Sequence, residues 1–346
     1  MNWYKLLGHP YVIAAIVLAT IPNSSLLAAD DAPGSVSVKP VGVQSHFAET
    51  TAPLRFQFHA TKAFAGRVLW QYAIGSRTVT RIEEALELNA GETSTIELTV
   101  SLPQVRNRTI LESEITAVIV DAAGNELTSS KQAVYLFPKD PYVARREWLK
   151  SLDIQLFDPE GKTAKRFESD EIPFNRITNA NTLDNLESGI LIVGHGVSLK
   201  KQRALVGSML TLAARGVQIV VLAPSDGTLD YPTPQDVTRL SKITFQNRQV
   251  ISQLDKRFDP EFDRVDANEN QPGGLELTSV RGALKLEVVE DASDWCWWQA
   301  SFESGGSCTI CCIDLETTWE SAPTARFLFA SILEELSPEH LPNSSE

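Results

Sequence analysis

The feature that most constrains this chain is a change of hydrophobic period at Leu136-Phe137-Pro138-Lys139-Asp140-Pro141. Before it, apolar residues alternate with polar ones. After it, continuous apolar runs alternate with stretches of helical spacing. Prolines at 138 and 141 cannot continue a central strand. One chain with two periods separated by such a break predicts two domains of different class. Its 346 residues are long for one ordinary domain and fit two.

The first period is two. Leu54, Phe56 and Phe58 alternate with Arg55, Gln57 and His59. Val68, Trp70 and Tyr72 repeat the pattern, as do Ile96, Leu98, Val100 and Leu102. Period two means a strand with one buried and one wet face. Turn signals at Asn89-Ala90-Gly91 and Ala123-Gly124-Asn125 separate the runs, the latter between strong strands at 114–120 and 126–137. About seven strands over 31–138 predict an all-β sandwich of immunoglobulin-like type, with Trp70 as a core residue. No Cys precedes residue 296, so apolar burial alone must hold the two sheets together.

After a linker at 139–150, residues 151–337 read as α/β. Strands are expected at Leu152–Phe157, Ile172–Ile177, Ile190–Val193 and Val217–Leu222, then near 275–289, 295–302 and 308–313. Ile190-Leu191-Ile192-Val193 is apolar throughout, as a strand buried on both faces of a parallel sheet must be. Helices are expected at Lys162–Ser169, from an N-cap at Ser198 to about Arg215, and at 322–336, with a helical turn at Leu183–Glu187. Glu303–Ser307 signals a hairpin. The alternation predicts a doubly wound, mostly parallel, flavodoxin-like sheet, with ligands beyond the carboxyl ends of its strands.

The first 29 residues read as an export signal. Lys5 supplies a positive start, Tyr11–Ile21 an apolar stretch too short to span a bilayer, and Leu26-Leu27-Ala28-Ala29 a small-residue cleavage site. A periplasmic or extracellular protein is expected, with no integral membrane segment in the mature chain and a disordered tail at 338–346. Charge sets a further limit: 31 Lys and Arg against 44 Asp and Glu give a net −13. That acidity argues against nucleic acid, which demands a basic face.

The strand ends hold the candidate ligand-binding residues: Asp158, Glu160, Gly194, His195, Gly196, Ser225 and Asp226. Gly161-Lys162-Thr163 follows a strand and opens a helix, but Leu156 stands where a phosphate loop needs its first Gly. Gly194-His195-Gly196 could offer backbone N–H groups to an anion. Ala223-Pro224-Ser225-Asp226-Gly227 approaches a nucleophile elbow, with His195 as its candidate base. Pro232 and Pro234 leave no room for the long helix an elbow starts. Asp158, Glu160 and Asp226 could instead act together as acids. Cys296, Cys308, Cys311 and Cys312 match no zinc spacing and read as buried side chains, with Cys296–Cys312 open to a cross-strand disulfide. Trp295, Trp297 and Trp298 read as core more than as a sugar-stacking platform. No metal and no cofactor are expected.

The segments Asp158–Thr163, Gly189–Gly194, Val217–Ala223, Gly305–Ile313 and Trp319–Arg326 resemble class I glutamine amidotransferase-like domains of the non-catalytic type, as attached to β-galactosidase-like secreted bacterial proteins. The sandwich resembles, more distantly, the β-sandwiches of those hydrolases. Enzymes of that family carry a Cys on the elbow after the strand that here ends at Leu222, followed by a His and a Glu. Here Pro224-Ser225-Asp226 fills the turn and no suitable His follows. The resemblance implies the fold without the catalytic set. The function expected is a non-catalytic binding or scaffold protein of the bacterial cell envelope, with a protein or glycan partner. The alternative is a serine hydrolase using Ser225 with His195.

Overall fold

The computed structural model describes residues 35–42, 44–232, 240–263, 273–290 and 295–337. The export segment and the tail at 338–346 lie outside them. The chain divides into two compact units at Lys139/Asp140, within the proline-bearing break. It is mostly β, arranged in several sheets.

The first unit has eight strands among the described residues: β1 (Val36–Val41), β2 (Ser45–Phe47), β3 (Thr51–Ala60), β4 (Phe64–Ile74), β5 (Arg77–Leu88), β6 (Thr93–Ser101), β7 (Leu111–Val120) and β8 (Glu126–Phe137). They form a three-stranded sheet, β1-β3-β6, and a five-stranded sheet, β2-β8-β7-β4-β5. Period two does what it must. Leu54, Phe56 and Phe58 of β3 and Val68, Trp70 and Tyr72 of β4 are buried, while Arg55 and Gln57 face water or the rim. The two sheets meet through aromatic edges, with Phe56 and Phe58 T-shaped against Trp70 at 5.2 and 5.9 Å. A buried polar chain in this core is closed: Tyr72 Oη donates to Ser113 Oγ, which donates to the Val134 carbonyl. His59 sits on the wet side, 3.0 Å from Thr93 Oγ1.

The second unit comprises α1 (Arg146–Ser151), β9 (Ile154–Phe157), α2 (Lys162–Ser169), β10 (Asn175–Ile177), a 3₁₀ turn at Ala180–Asn185, β11 (Ile190–Val193), α3 (Arg203–Ala214), β12 (Gln218–Leu222), β13 (Gly227–Asp230), β14 (Leu240–Gln246), α4 (Gln249–Leu254), β15 (Gly274–Val280), β16 (Ala283–Val289), β17 (Trp297–Phe302), β18 (Ser307–Cys311) and α5 (Pro323–Glu335). Its main sheet has the order β10-β9-β11-β12-β18-β17-β14. The first five strands are parallel to their neighbours, and β17 and β14 are antiparallel. Counted along the chain, the parallel strands stand in the order 2-1-3-4-5, so the order reverses at β9/β11. β11, β12 and β18 are buried at every position; β11 is apolar throughout, while β12 and β18 also bury Gln218, Ser307 and Thr309. A small antiparallel sheet, β13-β16-β15, stands beside it in the order of the strands.

Several sequence expectations shift. Residues 139–150 are no linker. Tyr142 and Leu149 there are fully buried, and α1 occupies the second half of the stretch. β9 starts at Ile154 because Leu152 caps α1. Only Asn175–Ile177 of the expected 172–177 strand pairs. Helix α3 begins at Arg203, five residues after the expected cap. Ser198 Oγ donates to Asp226 Oδ1 at 2.6 Å and accepts from the Lys201 N–H at 3.3 Å, so it closes a turn that precedes the helix. The hairpin at Glu303–Ser307 forms, with Gly305 at φ +87°. Gly306 must be glycine, since a Cβ there would lie 2.1 Å from the Ala213 carbonyl oxygen.

Candidate functional site

Parallel strands put the carboxyl ends of β9, β11, β12 and β18 on one edge of the sheet. The reversal at β9/β11 opens a crevice there. Four short segments meet at that edge: Asp158–Thr163, Gly194–Val197, Ala223–Asp226 and Cys312–Thr317.

Asp158 is 4% exposed, and its two oxygens accept from the N–H groups of Gly161 (3.0 Å) and Ala164 (2.9 Å). It therefore caps α2. That satisfies donors which a phosphate would otherwise meet. Glu160 leaves the edge to pair with Lys162 at 2.9 Å. Asp226 is a staple between segments, accepting from Ser198 Oγ and from the Lys200 N–H. The three acids expected to act together are thus divided among separate structural contacts.

The Gly194-His195-Gly196 amides are not free for an anion either. Gly194 N–H donates to the Phe157 carbonyl, His195 N–H to Thr163 Oγ1 (2.9 Å) and Gly196 N–H to the Ala223 carbonyl. Gly194 is tightly enclosed, because a Cβ would meet Asp158 and Thr163 side-chain atoms at 3.0 Å and those neighbours would have to give way. The close approach of β11 to the start of α2 explains that glycine.

Ser225 is exposed, and its N–H donates to the Val197 carbonyl. The turn that carries it runs into strand β13, so no helix N-terminus lies beneath it. Ala223 at φ +34° gives the turn its sharpness.

The side chain with most chemistry at this edge is His195. Its Nε2 lies 3.1 Å from Asp314 Oδ1 and its Nδ1 3.5 Å from Glu316 Oε2. The imidazole and both carboxylates are about four-fifths buried. Burial disfavours the charged ring, yet the Asp314 hydrogen bond and the fields of both carboxylates outweigh it, so the His195 pKa is raised. Burial would likewise raise the Asp314 pKa. The His195 bond and two bonds from Thr317, at 2.6 Å from Oγ1 and 3.0 Å from N, bring it down to about 2. Glu316 goes the other way, raised by burial against the pull of His195 and Arg166. Asp314 N–H donates in turn to Asp263 Oδ2 (3.3 Å), a buried carboxylate paired with Arg248.

Asp314, Glu316, Thr163 and Asp263 are the site residues that sequence reasoning missed. A signal for the first two was available. Ile313-Asp314-Leu315-Glu316 directly follows the apolar run of β18, so the strand-end rule covers it as fully as it covers His195.

The turn is braced on its far side. Arg166 pairs with Glu320 at 2.9 Å, Trp319 Nε1 donates to Asp170 at 2.7 Å, and Arg326 contacts both Asp170 and Glu320.

The four cysteines are free and buried, which corrects the Cys296–Cys312 disulfide expectation. Cys312 N–H does donate to the Cys296 carbonyl, so the two residues face each other across the β17–β18 pairing as thiols. Burial pushes the Cys308 and Cys312 thiols up to about 12 and raises Cys311 as well, far from nucleophilic thiolates. Trp297 and Trp298 are buried and Trp295 is 38% exposed, so the three do not form one exposed platform. Among the described residues, no group of three His, Cys, Asp or Glu side chains is placed to hold a metal ion. No helix among them is long and apolar enough to cross a membrane.

No family model matches the sequence, and no curated protein matches it. Solved structures show only partial likeness. A CARDB domain from Pyrococcus furiosus is 12% identical over 30% of this chain and 93% of its own, with a TM-score of 0.24. A fragment of α2-macroglobulin from Escherichia coli is 14% identical over 31% of this chain and 17% of its own, with a TM-score of 0.25. A β-glucosidase from Listeria innocua is 12% identical over 29% of this chain and 16% of its own, with a TM-score of 0.22. At those scores, none of them bears on function.

Proposed function

We propose that this is an exported, non-catalytic binding or scaffold protein of the bacterial cell envelope. In this reading an immunoglobulin-like sandwich precedes a flavodoxin-like, class I amidotransferase-like domain that lacks the catalytic set. The 2-1-3-4-5 order of the parallel strands supports the domain assignment. One observation carries the non-catalytic reading: both ring nitrogens of His195 face carboxylates, Asp314 on one side and Glu316 on the other. A general base must present a nitrogen to the nucleophile it activates. The elbow turn adds support, because Ser225 has no helix N-terminus behind it to stabilise an oxyanion. A glycan or an envelope enzyme is the partner proposed, on the strength of the family resemblance alone.

The test pairs two measurements on the full chain. A fluorophosphonate serine probe should leave the protein unlabelled, and a glycan array should retain it on a defined class of saccharide. Labelling at Ser225 overturns the non-catalytic reading in favour of the serine hydrolase. An array with no retained saccharide removes the glycan and leaves a protein partner.

A further inference from the structure

We propose that His195 is a protonation-controlled latch: its imidazolium ties the turn after β18 to the carboxyl ends of β9 and β11, and loss of the proton releases that turn. The latch stands independently of any ligand at this edge. It rests on how the ring is placed. A neutral imidazole carries one N–H, so it can donate to one carboxylate and must turn a lone pair toward the other. His195 has a carboxylate at each nitrogen, Asp314 Oδ1 at 3.1 Å and Glu316 Oε2 at 3.5 Å. With both acids ionised, only the doubly protonated ring suits both, through its hydrogen bond to Asp314 and its charge beside Glu316, which lies at ion-pair distance without a hydrogen bond. Its own backbone is fixed to the other side of the crevice through the N–H bond to Thr163 Oγ1, a buried hydroxyl on α2. The ring is therefore the bridge between the β9/β11 crevice and the turn.

The turn is built to move as a piece. Asp314 gathers it internally through Thr317, and the flanks stay anchored by Arg166–Glu320 and Trp319–Asp170 when the middle lets go. Other charges face the ring as well. Lys162 on α2 opposes its proton but is drawn toward Glu160 at 2.9 Å, and Glu160 favours it. Asp158 and Arg166 act on Glu316 with opposite signs. The raised His195 pKa agrees with this balance. The latch is fully closed below the ordinary imidazole value of about 6.5. It opens as pH rises from there through the raised value, with opening growing about tenfold per pH unit in that window and levelling above it.

Hydrogen exchange of the full chain between about pH 5.5 and 8.5, corrected for intrinsic rates, reads this directly. Protection of the Asp314 amide, held from outside the turn by Asp263 Oδ2, should hold at low pH and fall across the window, while amides of β11 and β12 stay protected. His195→Gln should abolish the pH dependence. Glu316→Gln keeps Asp314 and should narrow the window, because one of the two carboxylates holding the proton is gone. A flat profile in the wild-type chain overturns the latch, as does the same profile in folded His195→Gln. If His195→Gln fails to fold by circular dichroism, an unchanged window in Glu316→Gln overturns it alone.

Discussion

The two units manage charge in opposite ways. In the sandwich, ion pairs such as Arg55–Glu97 and Arg67–Glu83 lie on the wet faces with side chains roughly half exposed, and the polar side chains buried there among the described residues are uncharged. In the second unit, charge is drawn inward. Asp263 is 1% and Arg248 13% exposed, Arg326 and Asp170 are 12% and 10%, and His195 sits between two mostly buried acids. Exposed pairs are screened and contribute little, whereas a buried charge stripped of its partner is costly. The sandwich should thus respond to changes of volume and the second unit to changes of charge and pH.

The largest effect tests the sandwich. Trp70→Ala empties a site walled by Phe56 and Phe58 and should cost about 3–5 kcal/mol in denaturant unfolding of the first unit. A loss below about 1 kcal/mol would mean that the sheets do not depend on that contact. Next comes Asp263→Ala, which leaves the Arg248 guanidinium facing a buried gap and takes the acceptor from Asp314 N–H. It should destabilise the second unit by about 3 kcal/mol and leave exchange in the sandwich unchanged.

The pH response is smaller and separates the units. The raised His195 pKa contributes stability that is complete below about 6.5 and lost as pH rises through its folded value. Asp314 has the opposite sign. Its stabilisation is present above the ordinary carboxylate value and lost as pH falls toward about 2, with Glu316, raised by burial, working against it in acid. Exchange protection in the second unit should therefore fall at both ends of the pH range while the sandwich core stays level near neutrality. The smallest effect is Arg55→Ala, expected to change stability by about 0–1 kcal/mol. A larger loss would show that wet-face charge matters more than the contrast allows.

Local chemistry was legible in the sequence, and long-range partnership was not. The unbroken apolar run of β11 and the apolar Ile219–Leu222 of β12 marked those strands, and helix α2 matches its sequence span. The start of α3 was misplaced because Ser198 does make a cap-like bond, to the Lys201 N–H, but closes a turn tied to Asp226 of a different strand end, and the helix starts only at Arg203. His195 stood out because two glycines frame it. Asp314 and Glu316 were passed over although they follow a strand expected at 308–313, and only the pairing of β18 with β12 shows that its end shares the edge. For the same reason Ser225 and His195 looked like neighbours with a shared task, when each answers to other residues. Asp158 looked like a ligand and serves as a cap, a distinction carried by two hydrogen bonds that no spacing reveals.

The His195 ring answers to Asp314 and Glu316 and not to Ser225. Its imidazole titration, followed by NMR in the full chain and in Asp314→Asn, Glu316→Gln and Ser225→Ala, tests this most directly. Its pKa should lie above the ordinary histidine value, fall in the two carboxamide variants and be unmoved in Ser225→Ala. A ring whose titration shifts with Ser225→Ala and ignores both acids would contradict it.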